Sequence, residues 1–522
     1  MASINNKSVA NRARTVAPKA VVAPRTFTGL SHNIRNNNGA MAYDITPIEQ
    51  LRRTVLSCML WEDSAYESGE QIANRIERLI GECDPSDVAH LAREARHIMK
   101  LRHVPLFMCI TMLKYPEHKK YIRKTLASVI ERPDELGQAL ALYWKDALSP
   151  ARATEDTEIG PRVTYVSQRK SGLNLPLQLR RGLEDALQKF DSYQLKKYLM
   201  KDKPVSMADI LRIVHPKGKT DEIKATYGEI VKGTATAPDT WESRLSSSGR
   251  SEKATIFTDM LERNKLGAMA LLKNLRGMTE AGVDTNLINT AIQKMNTERV
   301  LPFRFLTAAR HAPQFKSSLG EAMLKSLKDI QNLPGHTVLL IDISGSMGGR
   351  ISGKSDLRRI DAAAAIAIML KEICQSSDMF VFNYGTYQVR NDNVFCVNQP
   401  TANNHGYSRI VESTKIYNYE EDAVVKRGFD LSDLIVNSVV GGTDLQQAVS
   451  YINNTVEYDR MIIFTDDESS TVPPAPRGLS YSINVSTGNY GVTYGDYVHI
   501  NGFSEGVIGY VTEYDKYVKS QN

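Results

Sequence analysis

Aspartate, serine and threonine side chains occur in three separated stretches of the sequence. Two of these stretches follow apolar runs, and the third is a glycine turn. Asp342, Ser344 and Ser346 form a DxSxS pattern, Thr443 lies in a Gly-Gly-Thr-Asp turn, and Asp466 directly follows an apolar run. Apolar runs of this length predict buried strands, and open α/β sheets place their ligand sites where such strands end. Because Mg²⁺ prefers oxygen ligands and keeps open positions for water or a partner's oxygen, these five residues predict a magnesium site with a vacancy.

The order and spacing of these three elements resemble the metal-ion-dependent adhesion site of von Willebrand factor A domains. A DxSGS stretch alone is typical of a polar turn, so the prediction depends on Thr443 and Asp466 appearing in the same order as in that family. The resemblance implies that the same five residues hold the metal.

The stretch from Gly348 to Ser355 permits a rival interpretation, since it satisfies the GxxxxGK[ST] pattern that cradles phosphates. A P-loop turns directly from its strand into its helix, whereas here the predicted strand ends near Asp342, well before Gly348. Asp342 would also bring a negative charge close to the phosphates. A polar surface loop therefore fits this stretch better than a nucleotide site, although the nucleotide alternative stays open.

Composition is typical of a chain with full hydrophobic cores. The 522 residues predict two to four domains, and 42% apolar and 24% charged residues are ordinary for globular proteins. The cysteines are few, odd in number and without CxxC spacing, which predicts reduced thiols in a cytoplasmic protein. No apolar stretch approaches the ~18 residues of a membrane span, and the N-terminus lacks the apolar region of a secretory signal. The five cysteines are Cys58, Cys83, Cys109, Cys374 and Cys396.

Charge is distributed unevenly along the chain. Residues 336–522 carry 14 Lys and Arg against 22 Asp and Glu, a net charge of −8. Residues 1–335 carry 51 basic against 37 acidic residues, a net charge of +14. Solvated helix faces account for part of this excess, but its size favours a polyanionic partner for the first half.

Three segments follow from patterning. Residues 1–38 are basic, contain no acid and show no period, which predicts a disordered arm. Residues 39–335 show helical periodicity punctuated by prolines, which favours an α-solenoid of helical pairs. Residues 336–522 alternate strands and helices, which predicts a parallel α/β sheet. The predicted strands are 337–341, 379–382, 461–464 and 498–500, the predicted helices are 359–373 and 505–514, and the polar region 384–426 cannot be placed.

Positive charge is densest between residues 161 and 219, which hold thirteen basic and five acidic residues. Lys197 and Lys201 are four apart and share one face if the segment is helical. Tyr193, Tyr198 and His215 lie among the charges, where they either stack on bases or pack within the fold. Phosphate contacts supply affinity and stacking favours single-stranded RNA, so the cluster indicates a nucleic-acid contact that includes Arg180 and Arg181.

Six ordered segments resemble the TROVE module of Ro ribonucleoproteins. Together with the A-domain motif, the similarity spans residues 27–522. The segments are Leu101-Arg-His-Val-Pro-Leu-Phe107, Leu195-Lys-Lys-Tyr198, Asp209-Ile-Leu-Arg-Ile-Val-His-Pro-Lys217, Thr240-Trp-Glu-Ser-Arg-Leu-Ser246, Gly267-Ala-Met-Ala-Leu-Leu-Lys-Asn-Leu-Arg276 and Val300-Leu-Pro-Phe-Arg-Phe305.

This resemblance implies a monomeric ring of HEAT-like helical pairs, closed by a von Willebrand A-type domain packed against both ends. It implies binding of small noncoding Y-like RNA on the outer ring surface, through Lys197, Lys201 and His215. It also implies binding of single-stranded 3′ ends of misfolded structured RNA in the ring. In bacteria such proteins are similar to adaptors that present RNA to polynucleotide phosphorylase, a 3′ exoribonuclease.

The sequence therefore predicts a cytoplasmic RNA-binding protein without catalytic residues of its own. Two alternatives remain at this point: a P-loop NTPase that uses Gly348–Ser355, and a metal-dependent protein-adhesion scaffold whose basic half only packs or is solvated.

Overall fold

The protein is described here by a computed structural model. It describes residues 34–35, 40–43, 45–58, 68–147, 154–157, 160–163, 175–200, 203–238, 252–297, 300, 302–327, 330–351, 356–390, 393–398, 428–438, 441–486, 491–504 and 506–521.

Amphipathic helices in series build the first half. The helix Gly69–Glu82 begins at a capping box in which Ser68 accepts from the Gln71 amide, and it buries Ile72, Ile76 and Leu79. The next helix begins after Asp84, whose side chain caps the Ser86 amide. The helices are α1 Pro47–Ser57, α2 Gly69–Glu82, α3 Pro85–His97, α4 His103–Thr111, α5 Lys119–Val129, α6 Pro133–Ala147, α7 Leu177–Leu187, α8 Ser192–Lys197, α9 Met207–Val214, α10 Asp221–Lys232, α11 Glu252–Glu262, α12 Ala268–Ala281, α13 Thr285–Lys294, α14 Pro302–His311 and α15 Lys316–Lys325.

Two short strand pairs belong to the same half of the sequence. The strands β1 Ile34–Arg35 and β2 Met41–Ala42 pair with each other, so part of the predicted arm 1–38 is ordered. Ala40 packs with the α/β core residues Val338 and Leu340. The hairpin β3 Thr154–Thr157 and β4 Gly160–Val163 lies between α6 and α7.

A seven-stranded sheet organises the second half. Its order is β11-β10-β9-β5-β6-β7-β8. The strands are β5 Leu333–Asp342, β6 Cys374–Phe382, β7 Thr386–Arg390, β8 Asn393–Asn398, β9 Arg460–Thr465, β10 Leu479–Asn484 and β11 Val498–Asn501; the helices are α16 Arg359–Ile373, α17 Gly428–Val436, α18 Leu445–Thr455 and α19 Gly506–Gln521.

The sheet departs from the purely parallel prediction. Strands β11, β10, β9, β5 and β6 pair in parallel, whereas β7 and β8 pair antiparallel at one edge. Both antiparallel strands fall in the region 384–426 that sequence patterning could not place, and residues 401–427 lie outside the described residues. The last helix continues to Gln521, beyond the predicted end at Tyr514.

Both ends of the helical series contact the α/β half. At the first end, Arg53 of α1 donates to Asp467, and Tyr510 of α19 donates to Glu94 of α3. At the last end, Arg310 of α14 pairs with Asp361 of α16, and Lys316 of α15 lies 2.6 Å from Asp430 of α17. The helical series therefore closes on itself through the α/β half, which confirms the predicted fold class of an α-solenoid joined to an α/β domain.

Candidate functional site

The carboxyl end of β5 places the first three predicted metal residues in one turn. Asp342 is the last residue of β5 and has no exposed surface. Its Oδ1 accepts from the Ser344 amide at 2.8 Å, and its Oδ2 accepts from Thr465 Oγ1 at 2.9 Å. Ser344 Oγ lies 3.0 Å from Ser346 Oγ. The DxSxS spacing thus holds two hydroxyls and one buried carboxylate together.

The Gly-Gly-Thr-Asp turn reaches the same edge of the sheet. The Gly345 amide donates to the Gly441 carbonyl at 2.7 Å, so the turn lies directly against the serine loop. Thr443 is buried, and its hydroxyl oxygen has no hydrogen-bond partner within the described part of the chain. A buried hydroxyl without a partner costs free energy, and a bound cation is one group that satisfies it.

Asp466 completes this edge from the neighbouring strand. It follows β9, which pairs in parallel with β5, and it has no exposed surface. The pKa of Asp342 is raised to about 7, first by burial and then by the negative charge of Asp466, against the hydrogen bonds from Ser344 and Thr465. Two buried carboxylates at the ends of neighbouring strands repel each other, and a divalent cation would relieve that repulsion.

The donor set fits a hard cation. Two carboxylates and three hydroxyls are oxygen ligands of the kind that Mg²⁺ binds. Nowhere in the described residues, this edge included, is there a group of three or more His, Cys, Asp and Glu side chains placed to hold a metal. A metal at this edge therefore needs the serine and threonine oxygens as well as the two aspartates.

Arg359, the first residue of α16, is a member of this cluster that sequence reasoning missed. Its side chain is 3% exposed and its Nη1 donates to Asp466 Oδ2 at 2.8 Å. Nothing in the local pattern around Arg359 shows that the helix start faces the site, because that contact depends on how α16 packs against β9.

Asp467 was also missed, although it stands beside Asp466. It adopts a left-handed conformation with φ +63°. Its Oδ1 accepts from the amides of Val492 and Thr493 and from the Thr493 hydroxyl, at 2.9 to 3.2 Å, and its Oδ2 accepts from Arg53 Nη1 at 2.7 Å. Asp467 therefore links the carboxyl edge of the sheet to α1; the Asp-Asp doublet was the signal in the sequence.

The P-loop pattern begins at the end of a short 3₁₀ helix rather than at the end of a strand. Gly348 ends a short 3₁₀ helix, and Arg350 bridges back to Arg358. The Arg359 amide donates to the Gly349 carbonyl at 2.9 Å, so the described residues on the two sides of 352–355 contact each other before α16. Residues 352–355, including Lys354, lie outside the described residues.

The predicted RNA residues fall on the surface of α7 to α9. Arg180 and Arg181 are exposed near the start of α7, where the positive end of the helix dipole adds to their charge. Lys197 ends α8 and is half-buried, and His215 is exposed in a left-handed conformation after α9. Lys201 lies outside the described residues.

Contacts within this region link its helices. Gln188 Nε2 donates to the Lys217 carbonyl at 2.8 Å, and Lys219 Nζ donates to the Gln188 carbonyl at 3.2 Å, which holds the segment after His215 against the end of α7. Tyr198 accepts from Arg132 at 3.0 Å and packs beneath that guanidinium. Tyr193 is 57% exposed. Of the two tyrosines considered for stacking, Tyr198 packs within the fold and Tyr193 presents its ring to solvent.

A closed helical solenoid joined to a seven-stranded α/β domain is the class of protein that these features define. Residues 232–333 match the family model of the TROVE domain. The crystal structure of Deinococcus radiodurans RO (RSR) protein superposes on 90% of this chain and 99% of that chain, with a TM-score of 0.52 and 16% identity. The predicted resemblance to the TROVE module of Ro proteins is therefore confirmed, and the fold is shared along most of the chain.

Telomerase protein component 1 is a further relative. The proteins of Mus musculus and Rattus norvegicus are each 27% identical to this chain over 150 residues, which are 26% of this chain and 5% of the relative's length. The chain thus spans only a small part of these relatives. No helix in the described part of the chain is long and apolar enough to cross a membrane.

Proposed function

We propose that this protein binds RNA and has no catalytic activity of its own. Small Y-like RNA is held on the outer surface of α7 to α9, and single-stranded 3′ ends of misfolded structured RNA are held in the ring. The protein then acts as an adaptor in RNA quality control, with polynucleotide phosphorylase as the 3′ exoribonuclease partner and a monomeric ring as the active form.

The observation that carries this proposal is the exposed positive charge of α7 to α9 on a Ro-like fold. Across the described residues, Arg180, Arg181 and Lys197 form no ion pair with an acidic side chain, whereas Lys196 beside them pairs with Glu229 at 2.7 Å. Cations that the fold leaves unneutralised are available to phosphates, and release of counterions from RNA then drives binding.

The test is to crosslink and sequence the RNA that copurifies from native cells, comparing wild type with Lys197→Glu/Lys201→Glu. The matched control is Lys273→Glu/Lys294→Glu, which reverses two exposed lysines on α12 and α13. We expect a few abundant small structured RNAs that are lost in the first variant and kept in the second. No enrichment above background, or equal loss in both variants, would favour the adhesion scaffold instead.

We further propose that Asp342, Ser344, Ser346, Thr443 and Asp466 hold Mg²⁺. Support comes from the buried pair of carboxylates, the unpartnered Thr443 hydroxyl and the oxygen-only donor set. A bound ion supplies charge neutralisation and a coordination position for an oxygen of a partner or a neighbouring loop. In this proposal the site serves structure or recruitment rather than catalysis.

Titration with Mn²⁺ as a paramagnetic substitute tests this site. Asp342→Ala is expected to abolish binding, and Asp378→Ala, on the adjacent strand β6 and away from the carboxyl edge, is expected to leave it unchanged. Equal binding by both variants would remove the metal from this edge.

An ATP titration with Lys354→Ala decides the P-loop alternative, since saturable binding lost in that variant would support a nucleotide site.

A further inference from the structure

Arg359 introduces a permanent positive charge where the proposed metal would bind. Its guanidinium is buried and lies 2.8 Å from Asp466 Oδ2, and the same Nη1 lies 3.5 Å from the Ser346 carbonyl. Arginine stays protonated in proteins. An oxygen predicted as a metal ligand thus already has a cationic partner from this chain.

We propose that Arg359 is a positioning residue that weakens the site for a metal alone and makes metal binding depend on an accompanying anion. This inference rests on the proposed metal site. With Arg359 present, one carboxylate of the site is neutralised by the protein, so an incoming divalent ion gains less attraction. Once the ion is bound, Arg359 makes the site one charge more positive than it would be without the guanidinium. That extra charge favours an anionic oxygen at the open coordination position.

The acidic side chains near the site do not change the effect expected from replacing Arg359. Glu468 is buried beside the site, and its amide donates to Asp466 Oδ1 at 3.3 Å. Asp467 is paired with Arg53. Both acids are retained in every variant below, so replacing Arg359 changes the site by one unit of charge while its neighbours stay the same.

The decisive variant is Arg359→Gln, which keeps a hydrogen-bond donor and removes the charge. A cation within ~4–6 Å changes the proton affinity of a carboxylate by about ten- to a thousandfold, so we expect Mn²⁺ to bind Arg359→Gln at least about tenfold more tightly than wild type. Arg359→Lys retains the charge and is expected to bind Mn²⁺ within a few-fold of wild type.

Acetate serves as the anionic probe in the same titrations. We expect acetate to tighten Mn²⁺ binding to wild type and to Arg359→Lys, and to have a much smaller effect on Arg359→Gln. The matched control is Arg460→Gln. Arg460 is also buried and pairs with Asp515 at 2.9 Å, but it stands at the opposite end of β9, so its loss lowers stability without tightening Mn²⁺ binding.

Each of the other possible outcomes either supports the inference or contradicts it. If Arg359→Gln folds only in the presence of Mn²⁺, the ion replaces the guanidinium and the inference holds. If the variant stays unfolded at every Mn²⁺ concentration, or binds Mn²⁺ no more tightly than wild type, the inference fails. Binding by Arg359→Gln without binding by wild type contradicts the proposed metal function but supports the role of Arg359. No binding by any variant removes both.

Discussion

The carboxyl edge of the sheet and the basic surface of α7 to α9 use charge in opposite ways. At the sheet edge, Asp342, Asp466 and Asp467 have no exposed surface, and each accepts hydrogen bonds from fixed partners. On the helical surface, Arg180 and His215 are exposed. In the first region the charges are buried and held by fixed partners, whereas in the second they are presented to solvent.

The largest expected effect comes from breaking the buried ion pair between Arg53 and Asp467. Arg53→Met leaves the Asp467 carboxylate buried without its cation, and removing one partner of such a pair costs about 3–5 kcal/mol. The control is Arg78→Met, which breaks an exposed pair with Glu82 worth at most about 1 kcal/mol. Urea unfolding measures both. Equal losses would mean that the buried pair contributes no more than a surface pair.

Lowering the pH tests the same buried region through the protonation of His499. Burial lowers the pKa of His499 from 6.5 to about 4; its ring stacks on Tyr494 and its Nε2 lies 2.6 Å from Thr493 Oγ1. Because the unfolded chain takes up this proton first, stability is full above pH 6.5 and falls as the pH drops from 6.5 towards 4.

The loss attributable to this one histidine is about 3 kcal/mol, since each unit of pKa difference corresponds to about 1.4 kcal/mol. The measurement is urea unfolding between pH 4 and 8 for wild type and His499→Gln. We expect the variant to lose less stability on acidification than wild type. Parallel profiles for the two proteins would assign the acid sensitivity to other groups.

A smaller effect is expected from weakening the basic surface. Arg180→Glu with Lys197→Glu removes two proposed phosphate contacts, and each contact contributes roughly 0.7 to the log–log salt slope on single strands. The slope of RNA affinity against salt is therefore expected to decrease in magnitude by about 1.4, with stability little changed. An unaltered slope would place the phosphate contacts elsewhere.

The smallest expected effect is that of a change at the sheet edge on RNA binding by the basic surface. Asp342→Ala is expected to abolish Mn²⁺ binding, and we expect RNA affinity to change by less than about threefold, because the proposed phosphate contacts lie on α7 to α9 instead. Filter binding of a small structured RNA measures it. A large loss in a folded variant would show that the two regions are coupled.

Local periodicity was sufficient to predict the elements that carry the proposed metal residues. The predicted strands 337–341 and 461–464 lie within β5 and β9, and the helix 359–373 has the predicted bounds. Each of these elements is buried and strongly patterned, so its local sequence carries the signal. The antiparallel strands β7 and β8 lie in a polar region and gave no such signal.

The contacts of Arg53 and Arg359 were beyond prediction for a different reason. Arg53 meets Asp467 across 414 positions of sequence, and Arg359 meets Asp466 across 107. Neither pair shares a helix face or a strand register, so no spacing rule connects them. Tyr198 illustrates the same point, because its partner Arg132 lies 66 positions away.

The pairing of Arg53 with Asp467 also has a consequence for synthesis on the ribosome. A chain that emerges at ~5–20 residues per second needs roughly 20–80 s to extend from one partner to the other. During that interval α1 exists without the acid that neutralises its arginine, and long-range contacts of this kind form late. The first helix of the described part of the chain is thus among the last to reach its native environment, which leaves a chaperone a long interval in which to bind it.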